Sequence, residues 1–434
     1  MLTFNEFQQQ SQAKPKFTGR QLVMLDPKAT HKTITTYAKK ASLRLASSGD
    51  YKKVKEDYTK AFDEGDGIVF EQLGIVVINQ NKRSQVSMLT ESSSSKRTFI
   101  YSEPERYVYA LIESFEEFMT GYKSAVDDLY NKITTRGKAS ALKGNSYQDD
   151  IVASWGIHAT NVLNSKFTGK GVNVAILDTG LNLKHPDYVG RVIKSKSFIR
   201  GEQVEDQNGH GSHCTGISTG NINKTKSGRY GVAKDANIFI GKVLSNSGSG
   251  DDSGILAGIE WAIVNNCKVI SMSLGAAVDP GETFSQVYND IAKKALTKGT
   301  IIIAAAGNES RRETGTIRPV GHPANCPSIM AVAALDNKMG IADFSCGGIN
   351  SDGGQIDIAG PGVDVYSSWK LPDNFNIISG TSMATPFVAG VAALFWEANP
   401  SASASDIWMF LLQNAKRLTL NASDVGAGLV QAPS

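Results

Sequence analysis

The chain has 434 residues, of which 41% are apolar and 20% are charged, and its formal net charge is +3. These values are typical of a globular protein and exclude a largely disordered chain, while the small charge excludes a dedicated nucleic-acid binder. No apolar run approaches the roughly 20 residues that a membrane-spanning helix needs. We therefore expect neither a nucleic-acid nor a membrane partner.

The N-terminal residues MLTFNEFQQQSQAKPKF lack a basic start followed by an apolar core, so they do not predict a classical export signal. The cysteines are isolated from one another and show no CxxC spacing; they are Cys214, Cys267, Cys326 and Cys346. Such cysteines are typical of reduced thiols rather than of disulfides. We expect a cytoplasmic protein, with non-classical secretion as the alternative.

The first 111 residues predict a small α+β unit. The strand-like segments are GRQLVMLDP, GIVFEQLGIVVINQN and RTFIYSEPERYVYAL, and the helical segment is HKTITTYAKKASLRLA. Residues 111–133 have helical spacing and many acids, and the following TRGKASALKGNS has the composition of a linker. We expect a first domain over 1–147, with an α+β core over about 18–111 and a helical linker over 112–147.

The second domain, residues 148–434, begins to show short apolar β-runs and helical stretches in alternation from residue 171. The β-runs are VNVAILD, NIFIGKVL, KVISMSL, TIIIAAAG and SIMAVAAL, and the helical stretches include SGILAGIEWAIVNN, VYNDIAKKALTKG, MATPFVAGVAALFWEA and ASDIWMFLLQNA. Runs that are apolar on both faces predict a parallel sheet covered by helices on both sides. In such sheets, reactive groups collect where loops leave the carboxyl ends of the strands.

Asp178 ends the strand VNVAILD, and His210 follows in NGHGSHCTG. The cluster of His210, His213 and Cys214 has a spacing that could bind zinc from one helix face. A zinc site needs a fourth ligand and usually an acid to orient a histidine, and the HExxH and CxxC patterns are absent. The competing interpretation makes His210 a base oriented by Asp178 and leaves His213 and Cys214 as packing residues.

Ser382 stands in GTSMATP at the start of an apolar helix. A helix N-terminus favours negative charge developing on a hydroxyl, because free backbone N–H groups and the helix dipole point at it. An isolated serine in this place would be read as a helix cap, and neighbouring hydroxyls could also fill that role.

Two more strands end in small residues and polar groups. AAAGN ends one strand, and its Asn308 can donate an N–H to an oxyanion. Ser273, Leu274 and Gly275 end the strand KVISMSL in the same way. We expect these two segments to form two walls of one cleft.

Asp178, His210 and Ser382 follow the chain order of the subtilisin triad. The motifs ILDTGLNLKHPD, NGHGSHCTG, GIEWAIVNN with SMSLG, IIIAAAGNES and SGTSMATPFVAGVAALF also appear in the expected order, so residues 148–434 resemble a subtilisin-like serine protease, or subtilase. The resemblance implies an α/β, subtilisin-like three-layer fold with a mainly parallel central sheet. It also implies a serine endopeptidase that acts through an acyl-enzyme.

The resemblance assigns roles to individual residues. Ser382 is the implied nucleophile, His210 the general base, Asp178 the group that orients the imidazole, and Asn308 an oxyanion-hole donor. Substrate is expected to bind as an added strand. The residues implied to contact it are Ser273, Leu274, Gly275, Gly248, Ser249, Gly250, Ala305, Ala306, Gly307 and Gly321. The small walls predict a polypeptide substrate with a large apolar P1 residue, the residue on the acyl side of the cleaved bond.

Residues 18–111 resemble, more weakly, the ferredoxin-like pro-domain of subtilases, which assists folding and inhibits the enzyme. RTFIYSEPERYVYAL is similar to its last strand and active-site tail. The resemblance implies a self-inhibited, self-processing zymogen with its own pro-domain as intramolecular inhibitor. Self-cleavage is expected near Ala110 or Leu111, or in the linker around 137–148.

The resemblance implies that catalysis requires no cofactor. Many subtilases bind structural calcium after the histidine helix, but the corresponding loop here carries Lys224, Lys226 and Arg229. These cations oppose binding of a cation that needs oxygen ligands, so we assign no metal residues and keep structural calcium only as an alternative.

A peptide macrocyclase or leader peptidase on the same fold is the alternative function. In a macrocyclase an amine displaces water from the acyl-enzyme, and we find no large insertion that could shield this intermediate. A catalytically dead binding module is the third hypothesis, and the intact Asp178, His210, Asn308 and Ser382 argue against it.

Overall fold

A computed structural model describes residues 16–29, 31–51, 57–82, 99–111, 146–223 and 228–434. Residues 112–145 of the helical linker predicted over 112–147 lie outside the described residues, as do the lysines at 224 and 226. We call residues 16–111 the N-terminal unit and residues 146–434 the C-terminal unit. None of the described helices is both long enough and apolar enough to cross a bilayer.

The N-terminal unit contains both strands and helices. Its strands are β1 (Phe17–Leu25), β2 (Leu45–Ser47), β3 (Gly67–Phe70), β4 (Ile75–Ile78) and β5 (Phe99–Ala110). Its helices are α1 (His31–Lys40) and α2 (Lys60–Glu64). The strands pair in the order β5-β1-β4-β3-β2, and all pairs except β2 with β3 are antiparallel. This unit therefore has α+β secondary structure.

The sheet of the N-terminal unit has two apolar faces, because successive side chains of a strand point to opposite sides. On β1, Val23 and Leu25 pack with Ile34 of α1 in a small core. Leu22 and Met24 belong instead to the large buried cluster that includes the core of the C-terminal unit. The N-terminal unit therefore completes one face of its sheet by packing on its neighbour.

The C-terminal unit contains most of the regular structure. Its strands are β6 (Asn173–Asp178), β7 (Ile193–Ser197), β8 (Ile222–Asn223), β9 (Gly228–Arg229), β10 (Asn237–Lys242), β11 (Ser249–Asp251), β12 (Val269–Met272), β13 (Leu274–Gly275), β14 (Ile301–Ala305), β15 (Met330–Leu335), β16 (Ile358–Pro361), β17 (Val365–Ser368) and β18 (Phe375–Ile378). Its helices are α3 (Trp155–Ala159), α4 (His210–Thr219), α5 (Asp252–Val264), α6 (Gln286–Thr297), α7 (Thr381–Ala398), α8 (Ala404–Asn414) and α9 (Ala422–Val425).

The main sheet of the C-terminal unit is parallel and has the order β16-β15-β14-β12-β6-β10-β7. The chain moves from β6 to the edge strand β7, returns through α4 to β10, and then crosses through α5 to β12 and through α6 to β14. The last two crossovers run in the same direction, so the right-handed rule places α5 and α6 on one face of the sheet. α4 packs instead on α7, which lies against β6, β12, β14, β15 and β16. The reversal occurs beside β6, whose carboxyl end is therefore the expected position of the site.

The N-terminal unit sits on the N-terminal ends of α5 and α6. Glu105 accepts from the backbone N–H of Ser253 at 2.9 Å. Glu103 accepts from the backbone N–H groups of Gln286 and Val287 at 2.7 and 3.1 Å. Two carboxyl groups of β5 thus accept from helix N–H groups that have no partner within the helix.

Candidate active site

Asp178 and His210 form a buried pair at the carboxyl end of β6. Nδ1 of His210 lies 2.7 Å from Oδ1 of Asp178, and both side chains are at most 1% exposed. Because an ionised carboxylate can only accept, Nδ1 carries the proton and Nε2 is left free to accept one. Burial disfavours the charged imidazolium, but the facing carboxylate outweighs burial and raises the pKa of His210 well above its usual value.

Asp206 holds the loop before His210, and the sequence analysis did not single it out. Its carboxylate accepts from the N–H of Gly209 and from both the N–H and the hydroxyl of Ser212, all at 2.8 Å. It also accepts from the hydroxyl of Thr179 at 2.9 Å. One carboxylate therefore ties the end of β6 to the first turn of α4. Its position four residues before the histidine is the signal that could have found it.

Ser382 lies in the first turn of α7 and is fully buried. Its Oγ donates to the carbonyl of Ser273 at 3.0 Å, and the Ser273 hydroxyl donates to the carbonyl of Ser382 at 2.8 Å. Nε2 of His210 is buried and has no hydrogen-bond partner among the described residues. The Ser382 hydroxyl is therefore turned toward Ser273 rather than bonded to the imidazole.

Cys214 lies between His210 and Ser382. Its Sγ is 3.9 Å from Nδ1 of His210 and 3.5 Å from the carbonyl oxygen of Ser382. One sulfur atom thus contacts both predicted catalytic residues, which places them in a single cluster. Burial raises the pKa of this thiol above its usual value, so the sulfur stays a neutral packing group.

His213 is separated from this cluster. Its Nε2 is 3.0 Å from the carbonyl of Val365, and its ring packs on the edge of Trp369. Burial lowers the pKa of His213 to about 3 and keeps it neutral. His210, His213 and Cys214 therefore do not converge as the zinc hypothesis requires. Within the described ranges, the possible metal-binding group at this place is Asp178, His210 and Cys214.

Asn308 contacts the end of the N-terminal unit. Its Nδ2 donates to the carbonyl of Leu111 at 2.9 Å, while its Oδ1 accepts from the N–H and the hydroxyl of Thr381. Gly380 allows this approach, because a Cβ at that position would lie 2.6 Å from the Leu111 oxygen. The carbonyl of Leu111 is thus held between Asn308 and the start of α7. From the sequence alone, Leu111 is only one of several expected cleavage positions.

β5 fills a groove between two short strands of the C-terminal unit. β11 pairs with it antiparallel, with Ser249 opposite Tyr109 and Gly250 opposite Val108. β13 pairs with its other edge, with Leu274 opposite Ala110 and Gly275 opposite Tyr109. The N–H of Ala110 also donates to the carbonyl of Gly248 at 2.9 Å. The segments predicted to bind substrate as an added strand hold part of this same chain.

The small residues predicted to form the P1 pocket are buried near this groove. Ala305 ends β14, and Ala306 and Gly307 follow it. The N–H of Gly321 donates to the carbonyl of Ala306 at 2.8 Å, which joins the two segments. A Cβ added to Gly275 would lie 3.2 Å from a methyl carbon of Leu111, so a glycine there leaves room for a large P1 side chain.

The calcium site common in the family does not fit the described residues here. The carboxylate of Asp187 accepts from the Tyr230 hydroxyl at 2.5 Å. The buried Arg229 guanidinium donates to the carbonyls of Gly231 and Val232, which occupies oxygens that a cation would need. Since Ca²⁺ takes six to eight oxygen ligands, a guanidinium in this position opposes its binding.

Residues 169–429 match the model of the peptidase S8, or subtilase, family, and this match spans more than half of the chain. The chain belongs to the subtilase family. It is therefore a serine endopeptidase with the subtilisin-like α/β fold that the motifs predict. Subtilisins need no cofactor for catalysis.

Relatives of this subtilase include subtilisin DY of Bacillus licheniformis, which is 38% identical over 272 residues, or 62% of this chain and 90% of that protein. A thermostable alkaline protease of Halalkalibacterium halodurans is 34% identical over 358 residues, or 79% of this chain and 92% of that protein. Because residues 146–434 are about two thirds of the chain, this second similarity extends into the N-terminal unit. The structure of sphericase matches with a TM-score of 0.56 at 34% identity and covers 64% of this chain and 98% of its own.

The predicted cytoplasmic location is wrong. The homologous subtilisins are secreted, extracellular proteins. The prediction relied on what the N-terminal residues lack and on unpaired cysteines, and neither observation determines a compartment. The alternative function of a peptide macrocyclase finds no support among these relatives.

Proposed function

We propose that this subtilase is made as a self-inhibited zymogen that cleaves its own Leu111–Ile112 bond. The observation that carries the proposal is the hydrogen bond from Asn308 to the Leu111 carbonyl. An oxyanion-hole donor is expected to contact the carbonyl that is attacked, and Leu111 presents that carbonyl at the end of a strand already docked in the groove.

The proposed chemistry uses Ser382, His210 and Asp178. Rotation of the Ser382 side chain away from Ser273 brings its hydroxyl to Nε2 of His210, which has no other partner among the described residues. Nε2 takes the proton as Oγ bonds to the substrate carbonyl, and Asp178 stabilises the imidazolium through Nδ1. The imidazolium then gives its proton to the leaving amine. Water, deprotonated by the same imidazole, hydrolyses the acyl-enzyme.

Charge on the carbonyl oxygen grows as Oγ attacks, and Asn308 supplies a preorganised donor for it. Its amide is fixed by Thr381, whose N–H and hydroxyl both donate to Oδ1. The Nδ2–H bonds therefore point at the oxyanion without reorganisation, which is the source of such stabilisation.

The N-terminal unit inhibits the protease because β5 occupies the groove that a substrate needs. β5 pairs with β11 and β13 and leaves no edge free for another strand. After cleavage the same contacts keep the N-terminal unit bound as a product, so release is a separate step. The described contacts support cleavage after Leu111 rather than in the linker around 137–148.

The proposal also includes the boundary between the two domains and the assignment of the P1 pocket. We assign residues 1–147 to the pro-domain, with its α+β core over about 18–111. The N–H of Tyr147 donates to the carbonyl of Asn337 at 2.9 Å, and this contact supports a boundary that is no later than this residue. We assign the P1 pocket to a large apolar side chain such as that of Leu111, walled by Ala305, Ala306, Gly307 and Gly321.

A peptide with the sequence of residues 104–115, PERYVYALIESF, tests this assignment. We expect the purified chain to cut it between Leu and Ile, and the Ser382→Ala variant to leave it whole. Ser379→Ala is the matched control, because this neighbouring hydroxyl only contacts Asp364 and its loss should change the rate by less than about threefold. Equal cleavage by the Ser382→Ala variant would remove Ser382 from the mechanism.

A further inference from the structure

The backbone pairing between β11 and β5 ends at Tyr107, although the next residue of β5, Arg106, still contacts the C-terminal unit. β11 pairs with β5 as far as Asp251, which lies opposite Tyr107. The next residue, Asp252, begins α5, so its backbone cannot continue the ladder. The side chain of Asp252 takes over, because its Oδ2 accepts from the N–H of Arg106 at 2.8 Å.

The Asp252 carboxylate is fixed in this position. It is fully buried, and its other oxygen is 3.1 Å from Nε2 of His322. His322 is itself anchored by two backbone hydrogen bonds with Ala276. Burial alone would raise the pKa of Asp252, but His322 and the Arg106 N–H outweigh burial and hold it below its usual value. The carboxylate is therefore an ionised, immobile acceptor.

Counting back from Leu111 as P1, Arg106 is the sixth residue on the acyl side. We propose that Asp252, positioned by His322, is a binding subsite for the backbone N–H of the sixth residue of an extended polypeptide substrate. This rests on the proposed function, since it takes the docked β5 as the template for substrate. It predicts a substrate class of extended segments with at least six residues before the cleaved bond and no proline at the sixth.

The neighbouring residue provides an internal control. The N–H of Tyr107 donates to the carbonyl of Lys16, which belongs to the N-terminal unit. It therefore points away from the C-terminal unit, and in a free substrate it meets solvent. A methyl group on the Tyr107 nitrogen removes a donor that the site does not use. It stiffens the peptide backbone to the same extent as a methyl group on the Arg106 nitrogen.

The test compares three forms of the peptide PERYVYALIESF: unmodified, N-methylated at the residue matching Arg106, and N-methylated at the residue matching Tyr107. The purified chain is first incubated until it has gained activity against the unmodified peptide. Two peptides at a time then compete for this enzyme in the same solution. The ratio of rates then gives the ratio of kcat/KM values and does not depend on how much enzyme is still inhibited. All three keep the arginine side chain, so its contact with Glu282 is constant.

We expect methylation at the Arg106 position to lower kcat/KM about tenfold or more, as for loss of a hydrogen bond to a charged group, and methylation at Tyr107 to change it less than about threefold. In Asp252→Ala the two methylated peptides should become equivalent, and Asp252→Asn, which keeps an acceptor, should restore part of the difference. Equal ratios for both methylated peptides with the unaltered enzyme overturn the subsite, whether or not the variants fold. If no peptide is cut, or if Ser382→Ala cuts them equally, the proposed function fails with it.

Discussion

The two units bury their sheets in different ways. The strands of the main sheet in the C-terminal unit, such as β14 and β15, are buried at every position and are covered by this unit's own helices. The sheet of the N-terminal unit divides its residues between its own small core and the surface of its neighbour. The C-terminal unit therefore completes its own core and carries all of the proposed catalytic residues, whereas the N-terminal unit depends on its neighbour for part of its core.

Because of this difference, bond cleavage and the occupation of the substrate groove by β5 should respond to different mutations. Changes at the carboxyl end of β6 should affect the rate of bond cleavage and leave the docking of β5 unchanged. Changes on the inner face of the N-terminal unit should affect docking and leave the chemistry unchanged. Asn308 contacts both units and should affect both.

The largest expected effect is that of Asp178→Asn. An asparagine can donate to Nδ1 of His210 and so favours the wrong tautomer, which should lower kcat by about 10⁴, the order of magnitude found for such triads, including that of subtilisin. Asp336→Asn, in a surface turn, is the matched control and should change kcat by less than about threefold.

Asn308→Ala should have the next largest effect. Subtilisin itself supplies the magnitude, a loss of about 10²–10³ in kcat when its corresponding donor is removed. Because Asn308 also holds the Leu111 carbonyl, the variant should in addition release the N-terminal unit faster after cleavage. Steady-state kinetics and gel filtration measure the two effects, and an unchanged release rate would show that this hydrogen bond does not help to hold the unit.

Glu105 should make the association of the two units depend on pH. Its carboxylate is fully buried against Arg20, Thr18 and Ser253. Burial, together with the nearby Asp251, outweighs Arg20 and raises the pKa of Glu105 from 4.5 to about 7. Arg20 and Thr18 belong to the N-terminal unit itself, whereas Asp251 and part of the burial come from docking on the C-terminal unit, so docking favours the protonated carboxyl.

Because association of the two units is linked to protonation of Glu105, its strength changes with pH. Association should be stronger near pH 4.5 and should weaken as the pH rises through about 7, because the proton that the docked carboxyl holds is lost there. Dissociation of the cleaved chain, followed by gel filtration between these pH values, measures it. Glu105→Gln should remove the slope, whereas Glu103→Gln, which loses a neighbouring carboxylate of β5, should keep it.

The smallest expected effects come from two methyl groups on β4. Ile75 belongs to the cluster shared with the C-terminal unit, and Ile78 belongs to the core under α1; both are fully buried. Each isoleucine-to-valine change should cost about 0.5–1.5 kcal/mol. Ile75→Val should weaken the association of the two units, and Ile78→Val should lower the stability of the N-terminal unit itself. If both changes weakened the association equally, this would contradict the claim that only one face of the N-terminal sheet packs on the C-terminal unit.

The sequence predicted the inner strands of the main sheet because each is a short run that is apolar on both faces. It did not predict β7 and β16, which lie at the two edges of that sheet. Their sequences, IKSKS and IAGP, alternate with polar residues or contain Gly and Pro, which edge strands tolerate. A continuous apolar run therefore identifies the inner strands, and these two edge strands escape it because polar residues or Gly and Pro interrupt the run.

The sequence also predicted the cluster of Asp178, His210, Asn308 and Ser382 through chain order and motif. It could not predict the orientation of the Ser382 hydroxyl toward Ser273 or the contact of Asn308 with Leu111. Both depend on which rotamer a side chain adopts when distant residues meet, since 109 positions separate Ser273 from Ser382 and 197 separate Leu111 from Asn308. Asp252 was missed for the same reason, since its role arises only where β11 ends against β5.

The most direct test of the central claim is the intact mass of the purified chain over time, beside that of its Ser382→Ala variant. The account predicts that the unaltered chain splits between Leu111 and Ile112 while the variant stays whole. Cleavage of the variant at this bond, or a first cut of the unaltered chain elsewhere, such as within 137–148, would contradict the claim that the docked β5 ends in the bond that this enzyme cuts.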